Sequence, residues 1–112
     1  MTKQELINQI AGETVTMTKV ELEEKSKLNE VWSEIAEASI EHTEHKTQWK
    51  LGYTDIDFND DYLYRMEMTE SGIRYYEGTE ERYLEEPVGE ESWSECQWGK
   101  KEIKMLIEGL SN

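Results

Sequence analysis

The clearest repeating pattern of apolar and polar positions in the chain lies between Leu28 and His45. Apolar residues recur there every three or four positions, which is the period of one face of an α-helix. This pattern predicts the main helix of the chain at about 27–45, with Ser26 as its N-cap. The predicted apolar face consists of Leu28, Val31, Trp32, Ile35, Ala38 and Ser39.

A shorter helix is predicted at the N-terminus. Thr2 and Glu5 have the spacing of a capping box, in which each side chain accepts a hydrogen bond from the backbone N–H of the other residue. Gly12 is a typical residue at a helix end. Because so short a helix is marginal alone, we expect it to pack on the core through Leu6, Ile7 and Ile10.

Two interpretations compete for the segment between these helices. Threonines alternate with apolar residues from Thr14 to Lys19, which favours an extended segment. In the alternative, Thr18 and Glu21 form another capping box, and one long helix runs from Lys19 to His45. The sequence leaves the choice between helix and strand open here.

Beyond the main helix, the apolar period becomes two, as in a β-strand. Strands are predicted at about 49–58, 62–68 and 73–76, and turn-forming residues separate them at 59–61 and 71–72. Short connections make neighbouring strands antiparallel, so these three strands form a meander. One face of the meander should cover the apolar side of the main helix, since three strands need such packing to be stable.

The last part of the chain is predicted to contain an acidic loop and a C-terminal helix. Residues 78–91 combine many glutamates with the only proline of the chain, which is typical of a loop. Ser92 and Glu95 again have capping-box spacing, and Gly99 interrupts the helix that follows. The predicted fold is therefore α+β in a single domain, with a short N-terminal helix, a long amphipathic acidic helix, a three-stranded antiparallel meander and a C-terminal helix.

Composition adds a strong negative charge to this fold. The 112 residues include 26 Asp and Glu against 12 Lys and Arg, for a formal net charge of -14. Such a charge steers a protein toward basic surfaces and disfavours nucleic acid and anionic membranes as partners. Four Trp and six Tyr indicate a folded chain, because disordered chains lack aromatic residues. With one cysteine, no signal peptide and no membrane-spanning apolar run, we expect a soluble protein of the cytoplasm.

A row of glutamates lies opposite the apolar face of the main helix, with successive members about 5 Å apart along the helix axis. An exposed helix usually places Lys near Glu, whereas Glu30–Glu34 and Glu37–Glu41 are like-charge pairs, which are mildly destabilising. A charge run is most often only a solvated face, but a basic partner would justify this arrangement. The row consists of Glu30, Glu34, Glu37, Glu41 and Glu44.

Further acidic patches and a group of tyrosines extend the candidate partner-binding surface. The patches are Asp55, Asp57, Asp60 and Asp61 at the first hairpin, and Glu80 and Glu81 in the acidic loop. The tyrosines are Tyr62, Tyr64, Tyr75 and Tyr76. Exposed tyrosines would anchor a protein interface, although core packing is their more common role.

Catalytic, metal and cofactor sites are not expected. The acidic run 55–61 lacks the central Gly and the final Glu of a calcium-binding EF-hand loop. His42 and His45 are three residues apart but have no third ligand at a motif spacing, and a core role is favoured for His42. Cys96 has lysines one turn away that would lower its pKa, yet a small buried apolar role is favoured. Phosphate-binding loops and nucleophile motifs are missing from the sequence, so we do not expect an enzyme.

Small size, strong acidity, an α+β scaffold lined by Asp and Glu and the lack of a catalytic motif are together similar to phage-encoded inhibitors of host defence. This class includes anti-CRISPR proteins and anti-restriction DNA mimics. The resemblance implies that the protein acts in a host bacterial cell by filling a basic groove that normally receives DNA or guide RNA, with a Cas nuclease as the expected target. The alternatives are an immunity protein that neutralises a basic toxin nuclease, and a structural or regulatory phage protein.

Overall fold

The computed structural model describes residues 1–43, 62–78 and 84–111 of the chain. Helices and an antiparallel sheet are both present in these ranges, which confirms the mixed α+β class. In chain order the elements are α1 (Lys3–Ile10), β1 (Thr14–Thr18), α2 (Lys19–Ser26), α3 (Glu30–Glu41), β2 (Leu63–Met68), β3 (Gly72–Gly78), β4 (Gly89–Ser92), α4 (Trp93–Cys96) and α5 (Lys100–Leu110).

Both interpretations of the segment before the main helix are partly right. The alternating residues form strand β1, and Thr18, the last of them, is also the N-cap of α2. The Thr18 hydroxyl oxygen accepts from the backbone N–H of Glu21 at 3.3 Å, and the Glu21 carboxylate accepts from the backbone N–H of Thr18 at 3.1 Å. The single long helix is wrong, because α2 ends at Ser26 and a second cap starts α3. The capping box predicted at Thr2 is likewise present.

The main helix, α3, is shorter than the predicted range 27–45. Its N-cap is Asn29 and not Ser26, and the Asn29 side-chain oxygen accepts from the backbone N–H of Trp32 at 3.0 Å. Leu28 therefore precedes the helix, and it is 40% exposed. Its predicted place on the apolar face is wrong for that reason.

Most of the remaining apolar face of α3 is buried as predicted, whereas Ala38 is only half-buried and Ala36 is buried in addition. Trp32 is fully buried, and its indole N–H donates to the Leu106 carbonyl at 3.2 Å, which ties α3 to α5. Gly109 of α5 lies against the same indole, where a larger residue would collide with it. The buried residues of α3 are Val31, Trp32, Ile35, Ala36 and Ser39. Positions 44 and 45 of the predicted helix lie outside the described residues.

The described strands form one four-stranded antiparallel sheet in the order β1-β2-β3-β4, so the predicted three-stranded meander is wrong in its strand number. β2 and β3 are the hairpin that the sequence predicts, paired from Leu63 opposite Gly78 to Met68 opposite Ile73. The predicted strand at 49–58 lies outside the described residues. The other neighbour of β2 is β1, which comes from the N-terminal part of the chain.

Strand β4 begins within the predicted acidic loop and ends at Ser92, one residue beyond it. Its sequence, GEES, contains no residue that favours a strand, so pairing with β3 determines its conformation. Gly72 of β3 faces Ser92, and a Cβ at Gly72 would overlap the backbone of Glu91. The missing side chain at Gly72 therefore permits the close approach of the two strands.

The C-terminal region contains two helices where one interrupted helix is predicted. The capping box between Ser92 and Glu95 is present, but α4 ends at Cys96 and Gln97 takes a left-handed conformation with φ 57°. Gly99 is then the N-cap of α5. Among the described residues, no helix combines the length and apolar character required to cross a membrane.

Candidate protein-binding surface

The exposed face of α3 carries four carboxylates, which we call the α3 carboxylate row: Glu30, Glu34, Glu37 and Glu41. The opposite face of the helix packs in the core, which fixes the direction in which these side chains leave the backbone. At about 1.5 Å of rise per residue, the row extends over roughly 16 Å. The fifth predicted member, Glu44, lies outside the described residues.

The charge of the α3 carboxylate row is poorly compensated within the described parts of the chain. Glu30 and Glu37 take part in none of the ion pairs or side-chain hydrogen bonds between described residues. The sheet differs in this respect, because Arg74 lies 3.3 Å from Glu67 and 3.8 Å from Glu90. Two carboxylates of the row are thus exposed with no cationic partner in the part of the chain that the structure describes.

Glu34 is the member of the row whose orientation is fixed. The indole N–H of Trp98 donates to its carboxylate at 2.8 Å. Trp98 is only 7% exposed, and its ring packs near that of Trp93 with a centroid distance of 6.2 Å. Trp98, in the connection between α4 and α5, therefore holds one carboxylate of α3 in place, leaving the second oxygen of Glu34 to make other contacts.

His42 attaches the C-terminal end of α3 to the sheet. Its imidazole stacks on Tyr75 with a centroid distance of 5.1 Å, and its Nε2 lies 3.8 Å from the Glu91 carboxylate. The ring also covers Gly89, where any side chain would collide with it. His42 thus packs between α3, β3 and β4 and not against solvent alone. No group of His, Cys, Asp and Glu suited to a metal ion occurs among the described residues, and His45 is not one of them.

The four candidate tyrosines are buried, so the hypothesis of exposed tyrosine anchors is wrong. The core role is confirmed for Tyr62, Tyr64 and Tyr75. Tyr76 lies outside the core cluster, on the sheet face opposite Tyr75. Their exposures are 7% for Tyr62, 0% for Tyr64, 1% for Tyr75 and 9% for Tyr76. The Tyr62 hydroxyl donates to Glu77 at 2.7 Å, and the Tyr76 hydroxyl donates to Glu67 at 3.1 Å. Burial, assisted by the charge of Glu91, raises the pKa of Tyr75. These rings stabilise the sheet and its core contacts.

Cys96 packs against the core as a half-buried thiol. Burial, and then the nearby carboxylate of Glu91, raise its pKa to about 12. The lysines at the start of α5 do not activate the thiol, because the acidic and apolar surroundings dominate. Cys96 is therefore neutral at physiological pH and poorly nucleophilic.

The remaining predicted acidic positions lie outside the described residues. They are Asp55, Asp57, Asp60, Asp61, Glu80 and Glu81.

An apolar cleft on α2, where Val20 and Leu28 are exposed, was not predicted from the sequence. The signal for this cleft in the sequence was Val20, an apolar residue that does not belong to a predicted buried helix face.

Comparison of the chain with protein-family models, with curated proteins and with solved structures finds no match.

Proposed function

We propose that this protein inhibits a nucleic-acid-binding enzyme by placing the α3 carboxylate row in the basic groove that receives DNA or guide RNA. The proposed target is a CRISPR-Cas nuclease. The protein would then be a phage-type anti-CRISPR protein that acts in the cytoplasm of a host bacterial cell. The observation that carries the proposal is a row of four exposed carboxylates on one helix face, two of which have no cationic partner among the described residues.

The arrangement of charge supports occupancy of such a groove. Phosphates advance by about 3.4 Å per step along each DNA strand, while members of the α3 carboxylate row advance by about 5 Å. The row therefore approaches the charge density of a nucleic-acid strand without copying its geometry. Arg and Lys side chains that line a groove can form short charge-assisted hydrogen bonds with carboxylates as they do with phosphates.

The repulsion between neighbouring glutamates of the row also supports a basic partner. Glu30 and Glu34, and likewise Glu37 and Glu41, are four residues apart on α3, so each pair repels by a few tenths of a kcal/mol. Replacing one member of each pair by Lys would convert repulsion into attraction. A basic groove offsets the repulsion in the complex and accelerates association at low salt.

Order of addition to a Cas9-type nuclease tests the proposed function. The purified protein is mixed with the nuclease before guide RNA, after guide RNA, or after target DNA, and DNA cleavage is measured. We expect strong inhibition when the protein is added before the nucleic acid whose groove it fills, and weak inhibition afterwards. A restriction endonuclease with the same DNA serves as the control. Unchanged Cas9 cleavage and DNA binding in every order would contradict the proposal.

A further inference from the structure

A shallow cleft on the outer side of α2 brings together two of the exposed large apolar side chains of the described residues. Val20 is 57% exposed and Leu28 is 40% exposed. Both line a cleft of about 360 Å³, together with Glu21, Glu24 and Lys25. Apolar side chains at the centre of a polar rim are the usual composition of a protein-binding surface.

The rim of this α2 cleft is negative. The Glu21 carboxylate uses one oxygen for its contacts with Thr18, and Glu24 forms only a highly exposed ion pair with Lys27 at 3.4 Å, which is worth little in water. The cation of Lys25 is directed elsewhere, since its ammonium donates to the carbonyl of Gly109 at 2.8 Å and lies 5.5 Å from the centre of the Trp32 ring. A ligand that carries an apolar group between positive charges therefore complements the two carboxylates and the apolar side chains of the cleft.

The α2 cleft is continuous with the α3 carboxylate row. Leu28 precedes Glu30 by two residues, so their Cα atoms are within about 7 Å of each other. A single partner can contact both. The row alone offers charge but no apolar group that can be removed from water, and interfaces usually depend on such desolvated anchors.

We infer that the α2 cleft binds a basic amphipathic helix of the target enzyme, whose apolar side chain packs between Val20 and Leu28 while its Lys and Arg residues face Glu21 and Glu24. This inference rests on the proposed function, because it assigns the cleft to the same partner as the α3 carboxylate row. It adds the chemistry of the segment that the partner must present.

A peptide pair tests the cleft without the enzyme. One labelled 14-residue peptide of leucine and lysine places its leucines on one helical face, and the second has the same composition with its leucines spread evenly. Fluorescence anisotropy gives the affinity of each for the wild type, for a double variant with Val20→Ser and Leu28→Ser, and for the control Val88→Ser. Val88 is 39% exposed, so it matches Leu28 in exposure but lies outside the cleft.

We expect the wild type and V88S to bind the amphipathic peptide at least about tenfold more tightly than its isomer, and the double variant to lose this preference. Circular dichroism verifies that each variant is folded. Equal affinity of the wild type for the two peptides, or an unchanged preference in the double variant, would overturn the inference.

The same variants are then titrated with the guide-free nuclease. A wild type that discriminates between the peptides but does not bind the nuclease refutes the proposed function and leaves the cleft assignment standing. A double variant that binds the nuclease as tightly as the wild type refutes the role of the cleft in that interface.

Discussion

Replacing Gly109 by alanine should destabilise the protein, although alanine is the better helix former. Gly109 lies in α5, and a Cβ there would overlap the indole of Trp32, which is fully buried. The backbone cannot easily retreat, because the Gly109 carbonyl accepts from the Lys25 ammonium at 2.8 Å. The indole of Trp32 must therefore move, and its N–H then loses its hydrogen bond to the Leu106 carbonyl.

Three contributions determine the size of the effect. Alanine gains at most about 1 kcal/mol over glycine in helix propensity. Overpacking of a core typically costs about 1–3 kcal/mol, and a buried N–H that loses its acceptor costs about 1–3 kcal/mol. The net loss in the free energy of unfolding for G109A is then about 3 kcal/mol, because the two penalties exceed the gain.

Urea unfolding followed by tryptophan fluorescence measures this loss directly. With a typical slope of about 1–3 kcal/mol per molar urea, the midpoint should fall by more than about 1 M. Gly99→Ala is the matched control, since the nearest atom to its new Cβ is 3.6 Å away and its loss at an N-cap should stay below about 1 kcal/mol. A G109A variant as stable as the wild type, or more stable, would refute the packing of α5 against Trp32.

Two further predictions concern single contacts around the sheet and α3. Because the folded state raises the pKa of Cys96 to about 12, its contribution to stability is complete below the thiol pKa of the unfolded chain and is lost as the pH rises toward 12. Cys96→Ala should therefore flatten the decline in the free energy of unfolding between about pH 8.5 and 11, and an unchanged slope would show that other groups with raised pKa values, Tyr75 and Tyr76, account for the decline. Trp98→Phe should cost about 1 kcal/mol by removing the donor to Glu34, and a double-mutant cycle with Glu34→Ala should give a coupling energy of similar size. Additive effects in that cycle would contradict a stabilising hydrogen bond.

Local patterns predicted the elements whose stability comes from their own residues. The apolar phase of α3 follows from Val31, Trp32 and Ile35, and the caps at Thr2, Thr18 and Ser92 use short-range hydrogen bonds that a sequence displays directly. The predicted start of α3 was wrong because Asn29 and Ser26 are both good N-cap residues, and the packing of the following turn decides between them.

The sequence does not predict which distant segments of the chain pair as neighbouring strands. β1 pairs with β2, with Thr14 opposite Glu67, and nothing local to either segment specifies that partner. β4 is a strand only because β3 supplies hydrogen bonds and Gly72 leaves room. The four candidate tyrosines show the same limit, since alternation predicts which residues share a face but not which face is covered.

The candidate surface was predictable in its charge but not in its apolar component. The glutamate spacing placed the α3 carboxylate row on one face, and the structure exposes that face. The contact between Trp98 and Glu34 joins residues 64 positions apart, and the cleft beside Leu28 depends on where α2 ends. Both features arise from tertiary packing.

Charge reversal on α3 tests the central claim most directly. Glu30→Lys with Glu37→Lys is compared with Glu13→Lys and Glu70→Lys, which makes the same change in net charge at exposed residues outside α3. The dissociation constant for a guide-free Cas9-type nuclease is measured for each double variant over a range of salt concentrations. We expect the α3 variant to bind at least about a hundredfold more weakly and with a smaller salt dependence, while the control stays within about tenfold of the wild type. Equal affinities for the two double variants would show that total charge, and not the α3 carboxylate row, governs binding.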